Sequence, residues 1–150
     1  MTQATGKRTL ALVVDDDPAT RSLEADVLES AGFAVVQAKN GEDALRVAQE
    51  RQPGVVLLDL ALPTASGFDV LRMLKRRPAT SEIPVLLVSA YASLVEDCAS
   101  RGASSCLAKP FDIDNLLSEV RGVLDQPSRA ATISREERPA ARVGKTGASP

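Results

Sequence analysis

The feature of this chain that most constrains its fold is a short apolar run that recurs along the sequence and gives way each time to polar residues. The run at residues 10–14 ends in three consecutive aspartates, and the run at residues 55–58 ends in Asp59. Apolar runs of this length are typical of strands that are buried on both faces. Between the runs, apolar residues recur at helical spacing. The alternation predicts an α/β fold in which helices cover both faces of a parallel sheet.

Five strands and five helices are predicted between residues 9 and 125. The predicted strands cover residues 10–14, 33–36, 55–58, 84–89 and 105–108. The first helix covers residues 18–31, because Asp17 is a suitable N-cap, Pro18 suits the first turn and Gly32 stops the helix. The later helices cover the segment between residues 40 and 53, residues 67–77, residues 92–101, and a last segment that Asp112 caps and that reaches Leu124.

Charge marks the end of the predicted domain. Residues 1–125 carry 13 Lys+Arg and 18 Asp+Glu, which is net −5, whereas residues 126–150 carry 5 and 2, which is net +3. The last segment also lacks hydrophobic periodicity and has few large apolar side chains. Such a segment buries too little surface to offset the entropy lost on ordering, so a disordered basic tail is predicted for residues 126–150.

Composition excludes several kinds of site. The chain has two cysteines and no histidine, so a Ser-His or Cys-His nucleophile is excluded and a zinc site is not expected. No disulfide framework is expected from two cysteines in a chain of this size. No run approaches the roughly 18 apolar residues of a membrane span, and no secretory signal is recognised, so the expected location is the cytosol.

Polar residues stand at the carboxyl ends of four predicted strands, where ligands bind in open α/β sheets. Asp15 and Asp16 follow the first strand, Asp59 the third, Ser89 the fourth and Lys109 the fifth. Two carboxylates about 4 Å apart repel by about 4 kcal/mol at an effective dielectric constant of about 20, unless a cation lies among them or one is protonated. Oxygen ligands alone favour a hard ion, Mg²⁺ or Mn²⁺. A carboxylate beside such an ion is a suitable nucleophile for phosphoryl transfer, which makes Asp59 the candidate phosphoacceptor.

Four motifs surround these polar residues, and they are Val13-Val14-Asp15-Asp16-Asp17-Pro18, Leu57-Leu58-Asp59-Leu60-Ala61-Leu62-Pro63 with Gly67, Val88-Ser89-Ala90, and Lys109-Pro110-Phe111. Taken together, these motifs resemble the receiver domain of bacterial response regulators, the proteins of two-component signal transduction. The resemblance implies a flavodoxin-like, doubly wound sheet of five parallel strands in the order 2-1-3-4-5, flanked by five helices, over residues 9–125.

The resemblance also implies a role for each site residue. Asp59 is the implied phosphorylated residue, and Asp16 and Asp59 are the implied direct ligands of Mg²⁺ or Mn²⁺. The backbone carbonyl of Ala61 completes the implied metal site, and Asp15 acts through water. The side chains of Ser89 and Lys109 are implied to contact the phosphoryl group, and the Lys109–Pro110 bond is implied to be cis.

One position departs from the family. Receivers usually carry Tyr or Phe three residues before the lysine, as a switch that moves when the Ser/Thr closes onto the phosphate. This chain has Cys106 there, so either coupling from Ser89 is weaker or another group, such as Tyr91, carries it. We interpret Cys106 as a small buried residue rather than a redox sensor.

The resemblance implies a stand-alone response regulator of a phosphorelay, phosphorylated by a histidine kinase or a histidine phosphotransfer protein. It would be no enzyme beyond its own phosphorylation and dephosphorylation. Its output would be a protein contact on the face of the fourth helix, fifth strand and fifth helix, as a monomer or a phosphorylation-dependent dimer. Binding to nucleic acid or to a membrane is not expected.

Three alternatives stay open. Cys106 is compatible with a receiver fold that binds a partner without phosphorylation. The basic tail is compatible with a fragment of a longer regulator. A metal-dependent phosphatase with an aspartyl-phosphate intermediate is disfavoured, because Ala61 stands where such enzymes usually have a second aspartate.

Overall fold

The computed structural model describes residues 8–62, 66–91 and 98–125 of the 150-residue chain. One sheet of five parallel strands runs in the order β2-β1-β3-β4-β5, which confirms the predicted order. The strands are β1 (Leu10–Val14), β2 (Ala34–Ala38), β3 (Val55–Asp59), β4 (Val85–Ser89) and β5 (Ser105–Ala108). Strand β2 extends beyond its predicted end because the last two residues of β1, Val13 and Val14, pair with Gln37 and Ala38.

Four α-helices lie in the described residues. They are α1 (Pro18–Ser30), α2 (Gly41–Arg51), α3 (Gly67–Arg76) and α4 (Ile113–Asp125), the last being the predicted fifth helix. The predicted fourth helix falls largely on residues 92–97, outside the described residues, and its end forms the 3-10 helix Ala99–Arg101. The predicted tail at residues 126–150 also lies outside them. Among these helices none is long and apolar enough to cross a membrane.

Side-chain caps explain where the helices begin. Asp17 accepts a hydrogen bond from the backbone N–H of Thr20 at 3.1 Å, and Asp112 accepts one from that of Asn115 at 2.7 Å. Each bond satisfies an N–H that the first helical turn leaves without a partner. Gly32 has a φ of +102°, which suits the left-handed turn that ends α1. The predicted caps Asp17 and Asp112 are therefore confirmed.

The apolar runs are continuous because both faces of the central strands are covered. Leu12, Leu58 and Leu87 point to one face and pack with residues of α2 and α3. Their chain neighbours point to the other face and pack with α1 and α4. Strands buried on both faces show unbroken apolar runs rather than alternation. Because helices cover both faces of the central strands, the polar groups lie at the carboxyl edge of the sheet.

The two cysteines are paired and Cys106 is only partly buried, which corrects both the expectation of no disulfide and the interpretation of Cys106 as a small buried residue. Cys98 and Cys106 form a disulfide, with Cα atoms 6.5 Å apart. Their separation of eight residues along the chain gave no sign of this contact. The chain turns back on itself between the 3-10 helix and β5, where the N–H of Ala103 donates to the carbonyl of Cys98.

Gly67, the first residue of α3, sits against the end of β3, and its replacement by alanine is expected to lower the free energy of unfolding by about 1–3 kcal/mol. An added Cβ would lie 2.6 Å from the carbonyl oxygen of Asp59 and 2.7 Å from the Cα of Leu60. Both are backbone atoms, which cannot move aside as the end of a flexible side chain can. Urea unfolding measures the change. The control is Gly122→Ala on α4, where a Cβ meets nothing within 4 Å. This control is expected to gain about 0.5–1 kcal/mol, and Gly67→Ala as stable as wild type would contradict the packing described.

Candidate functional site

Three carboxylates meet at the carboxyl edge of the sheet. Asp15 and Asp16 follow β1, Asp59 ends β3, and these two strands are neighbours, with Val14 opposite Leu58. One oxygen of each carboxylate lies within 4.8 Å of the others. Asp15 and Asp59 are buried and Asp16 is exposed, so the cluster opens to solvent on the Asp16 side. The structure therefore brings together the acidic residues that the sequence places at separate strand ends.

Lys109 follows β5, two strands away from β3, and its side chain reaches this cluster along the same edge of the sheet. Its backbone N–H donates to the carbonyl of Ser89 at 2.7 Å, which fixes the start of the segment after β5. Its Nζ lies 3.4 Å from Oδ2 of Asp15 and 3.8 Å from Oδ2 of Asp59. The Lys109–Pro110 peptide bond is cis, as expected. One lysine thus faces two of the three carboxylates.

Burial and like charges make the negative charge of Asp59 unfavourable. The side chain is nearly inaccessible, and this burial raises its pKa above the ordinary aspartate value. The charges of Asp15 and Asp16 raise the pKa further, while the Ala61 N–H and Lys109 oppose the rise. The N–H of Ala61 donates to Oδ1 of Asp59 at 3.1 Å, which orients the carboxylate. A cation beside Asp59 would relieve the penalty.

Lys109 stays positively charged in this setting. Burial by itself would lower the pKa of its ammonium group, but the carboxylates of Asp59 and Asp15 more than offset that effect and raise it. A protonated lysine in contact with two carboxylates is a fixed positive charge at the site. It suits an anion that enters between them.

Ser89 and Tyr91 lie at the end of β4. Ser89 is buried, and its Oγ accepts a hydrogen bond from the N–H of Tyr91 at 2.9 Å. The Tyr91 side chain is 63% exposed. On the adjacent strand β5, Cys106 lies opposite Leu87 of β4, and Ala108 lies opposite Ser89. Cys106 is therefore one pleat away from Ser89 on the adjacent strand.

Asp17 takes no part in the cluster, because it caps α1. Its carboxylate accepts hydrogen bonds from the side chain and the backbone of Thr20, and these bonds lower its pKa. Its own N–H donates to Oδ1 of Asp15 at 3.0 Å. Asp17 thereby helps to orient a site carboxylate through its backbone only.

Sequence reasoning missed one titratable group, Glu24 on α1. Its side chain is 2% exposed, and its Oε2 has no hydrogen-bond partner among the described residues. Burial, followed by the charge of Asp15, raises the pKa of Glu24 to about 8. A signal was present, since Val27 and Leu28 lie three and four residues later on the buried face of the same helix.

Most of the chain matches one known protein family. Residues 11–121 match the response regulator receiver domain family. The chain is 38% identical over 120 residues to RpaA, a DNA-binding dual master transcriptional regulator of Synechocystis; the match covers 79% of this chain and 50% of RpaA. It is 35% identical over 115 residues to PilH of Pseudomonas aeruginosa, covering 75% of this chain and 95% of PilH.

A solved structure agrees with these matches. The response regulator TrrA of Thermotoga maritima, in complex with Mg(2+)-BeF, superposes with a TM-score of 0.71 at 30% identity, over 77% of this chain and 98% of TrrA. The chain thus spans about half the length of RpaA and nearly the whole length of PilH and TrrA.

Proposed function

The chain belongs to the response regulator receiver domain family, and we propose that it accepts a phosphoryl group on Asp59 with a divalent cation bound beside it. The observation that carries the proposal is the convergence of three carboxylates from two strands at a point that also faces Lys109. Receivers as a family are phosphoacceptors with weak autophosphatase activity. We place that chemistry at Asp59 because its Oδ1 accepts the Ala61 N–H and its Oδ2 lies 3.8 Å from Nζ of Lys109.

The donor set fits Mg²⁺ or Mn²⁺. All three side chains offer carboxylate oxygens, and hard divalent ions prefer such ligands. We propose that Asp16 and Asp59 bind the ion directly, that the backbone carbonyl of Ala61 completes the protein ligands, and that Asp15 acts through water. The TrrA structure, solved with Mg(2+)-BeF, supports a divalent ion at this kind of site. When bound, the ion neutralises negative charge on the group being transferred.

The chain's own residues then have distinct tasks. The Ala61 N–H holds Oδ1 of Asp59, and a carboxylate oxygen bonds to phosphorus while the P–N bond of a phosphohistidine breaks, leaving its electron pair on nitrogen. Lys109 keeps its proton and contacts a phosphoryl oxygen, and Ser89 offers a hydroxyl to another. The phosphohistidine belongs to a partner, because this chain has no histidine.

We propose a histidine kinase or a histidine phosphotransfer protein as that partner, in the cytosol. The proposed output is a contact with another protein through β5, α4 and the predicted fourth helix. The near-complete coverage of PilH supports a receiver that acts alone, as a monomer or a phosphorylation-dependent dimer. The half coverage of RpaA supports the alternative, a receiver within a longer regulator.

The deciding experiment is incubation with a small acyl phosphate and Mg²⁺, read by intact mass. Wild type is expected to gain one phosphoryl adduct. The fraction of Asp59→Asn that carries the adduct should be less than about 1% of the wild-type fraction, because an amide is a far poorer nucleophile than a carboxylate. The matched control is Asp69→Asn, at an aspartate on α3 whose side chain is 49% exposed, and it is expected to behave as wild type. An adduct on Asp59→Asn equal to that of wild type would refute the assignment.

We propose that Tyr91 and the small Ala61 flank the phosphoryl group, because the Ala61 N–H bonds to Asp59 and the Tyr91 N–H bonds to Ser89, and that the Tyr91 ring limits the access of water. Replacing Tyr91 with alanine should shorten the phosphoryl lifetime by about 2- to 10-fold, because a ring that excludes water is lost. The decay of the adduct after removal of the phosphodonor measures this lifetime. Tyr91→Phe keeps the ring and serves as the control. An unchanged lifetime in Tyr91→Ala would show that the ring does not shield the group.

A further inference from the structure

We propose that Cys98 and Cys106 are a reversible redox pair whose disulfide fastens β5 to the segment that precedes it in the chain. Their Cα atoms are 6.5 Å apart, inside the range of roughly 4.4–6.8 Å that a disulfide spans without backbone movement. The chain has no other cysteine, so each has one possible intramolecular partner. This inference rests on the geometry of the pair and not on phosphorylation.

The two thiols differ in access, which assigns their tasks. Cys98 is 2% exposed within the core between the sheet and α3, whereas Cys106 is only half-buried on β5, the edge strand of the sheet. Small reagents therefore reach Cys106 first. Cys98 is positioned to resolve the product, because its Cα lies 6.5 Å from that of Cys106.

The oxidant we propose is a low-molecular-weight disulfide. The Cys106 thiolate attacks one sulfur of that disulfide, forms a mixed disulfide and releases one thiolate. The Cys98 thiolate then attacks the Cys106 sulfur and releases the second. The protein loses two electrons and two protons, and the small disulfide is reduced to two thiols. A dithiol reductant reverses the sequence.

The bond would restrain the strand that positions Lys109. Cys98 anchors the turn before β5, because its carbonyl accepts the N–H groups of Arg101 and Ala103 at 3.0 and 3.3 Å. Cys106 lies three residues before Lys109, whose N–H is bonded to the carbonyl of Ser89. Oxidation therefore closes a ring over residues 98–106 and ties the edge of the proposed site to the core. Reduction releases that tie.

The test is equilibration of the full chain in glutathione buffers of graded redox ratio, followed by acid quenching, alkylation and intact mass. We expect wild type to convert between a reduced form, in which both cysteines are alkylated, and an oxidised form, in which neither is. Before alkylation, the oxidised form should be lighter than the reduced form by the mass of two hydrogens. The oxidised form should melt about 5–10 °C higher than the reduced form of the same sequence. Its amide hydrogens over residues 101–109 should exchange more slowly.

Variants separate this result from other outcomes. Cys98→Ala and Cys106→Ser should show no shift in melting temperature with redox ratio; if either fails to fold, reduced wild type is the matched control. Asp59→Asn keeps both cysteines and must titrate as wild type does, even if phosphorylation fails. The proposal is overturned if native wild type keeps both thiols in buffers that oxidise the urea-unfolded chain, or yields only glutathione adducts or linked dimers.

Discussion

Lys109→Met is expected to slow phosphoryl transfer to Asp59 by about 100- to 1,000-fold at saturating Mg²⁺, because a preorganised positive charge at the transferring group is lost. The same change is expected to tighten Mg²⁺ binding by about 10-fold, since the ammonium group competes with the ion for two carboxylates. That competition follows from its distances of 3.4 Å to Asp15 and 3.8 Å to Asp59. Slower phosphoryl transfer together with tighter Mg²⁺ binding in the same variant would distinguish a lysine that contacts phosphate from one that only maintains the structure.

The measurements are the rate of adduct formation by intact mass and Mg²⁺ affinity by calorimetry. The matched control is Lys39→Met, which removes one positive charge from an exposed lysine that follows β2 at the same edge of the sheet. This control is expected to change both quantities by less than about 2-fold. If Lys109→Met lowered Mg²⁺ affinity and transfer together, Lys109 would act by holding the site in shape rather than by binding phosphate.

Glu24 is expected to make the metal-free protein lose stability as the pH rises from about 4.5 to about 8. In the folded state burial raises its pKa to about 8 from the ordinary value of 4.5. Below about 4.5 both states are protonated and Glu24 has no effect. Between the two values only the unfolded chain gives up the proton, which favours unfolding by at most about 1.4 kcal/mol per pH unit. Above about 8 the full cost is present.

Glu24→Gln removes this titration and should be more stable than wild type at a pH of about 8 by about 2–4 kcal/mol. Urea unfolding over this pH range, without divalent ions, measures the difference. Asp59, whose pKa is also raised, acts in the same direction, so only the difference between the two proteins belongs to Glu24. Glu29→Gln, at an exposed position of α1, is the control and should follow wild type. Parallel pH profiles for wild type and Glu24→Gln would contradict this account.

The strands could be predicted because the physics that makes them is local. Residues 10–14 and 55–58 are unbroken apolar runs, and both become central strands with helices on each face. The order of the strands in the sheet depends on contacts between distant segments, so it could not be predicted from the apolar runs. It was taken from the resemblance to receivers. The end of β2 was missed because pairing with Val14, and not the apolar run itself, sets it.

The acidic cluster could also be predicted, since parallel strands end at one edge and Asp15, Asp16 and Asp59 stand there. The contact between Cys98 and Cys106 could not, because it depends on how the chain turns before β5. Glu24 was overlooked although its helical spacing marks it as inward-facing. Charge made the residue look solvated, whereas its position on the helix decides its burial.

We expect carboxylates from two strands to share one divalent ion. Calorimetric titration of the full chain with Mg²⁺ tests it most directly. We expect wild type to bind one ion, Asp16→Asn and Asp59→Asn to bind at least about 10-fold more weakly, and Asp69→Asn to match wild type. If wild type bound no Mg²⁺, or if both site variants bound it as tightly as wild type, the account would be contradicted.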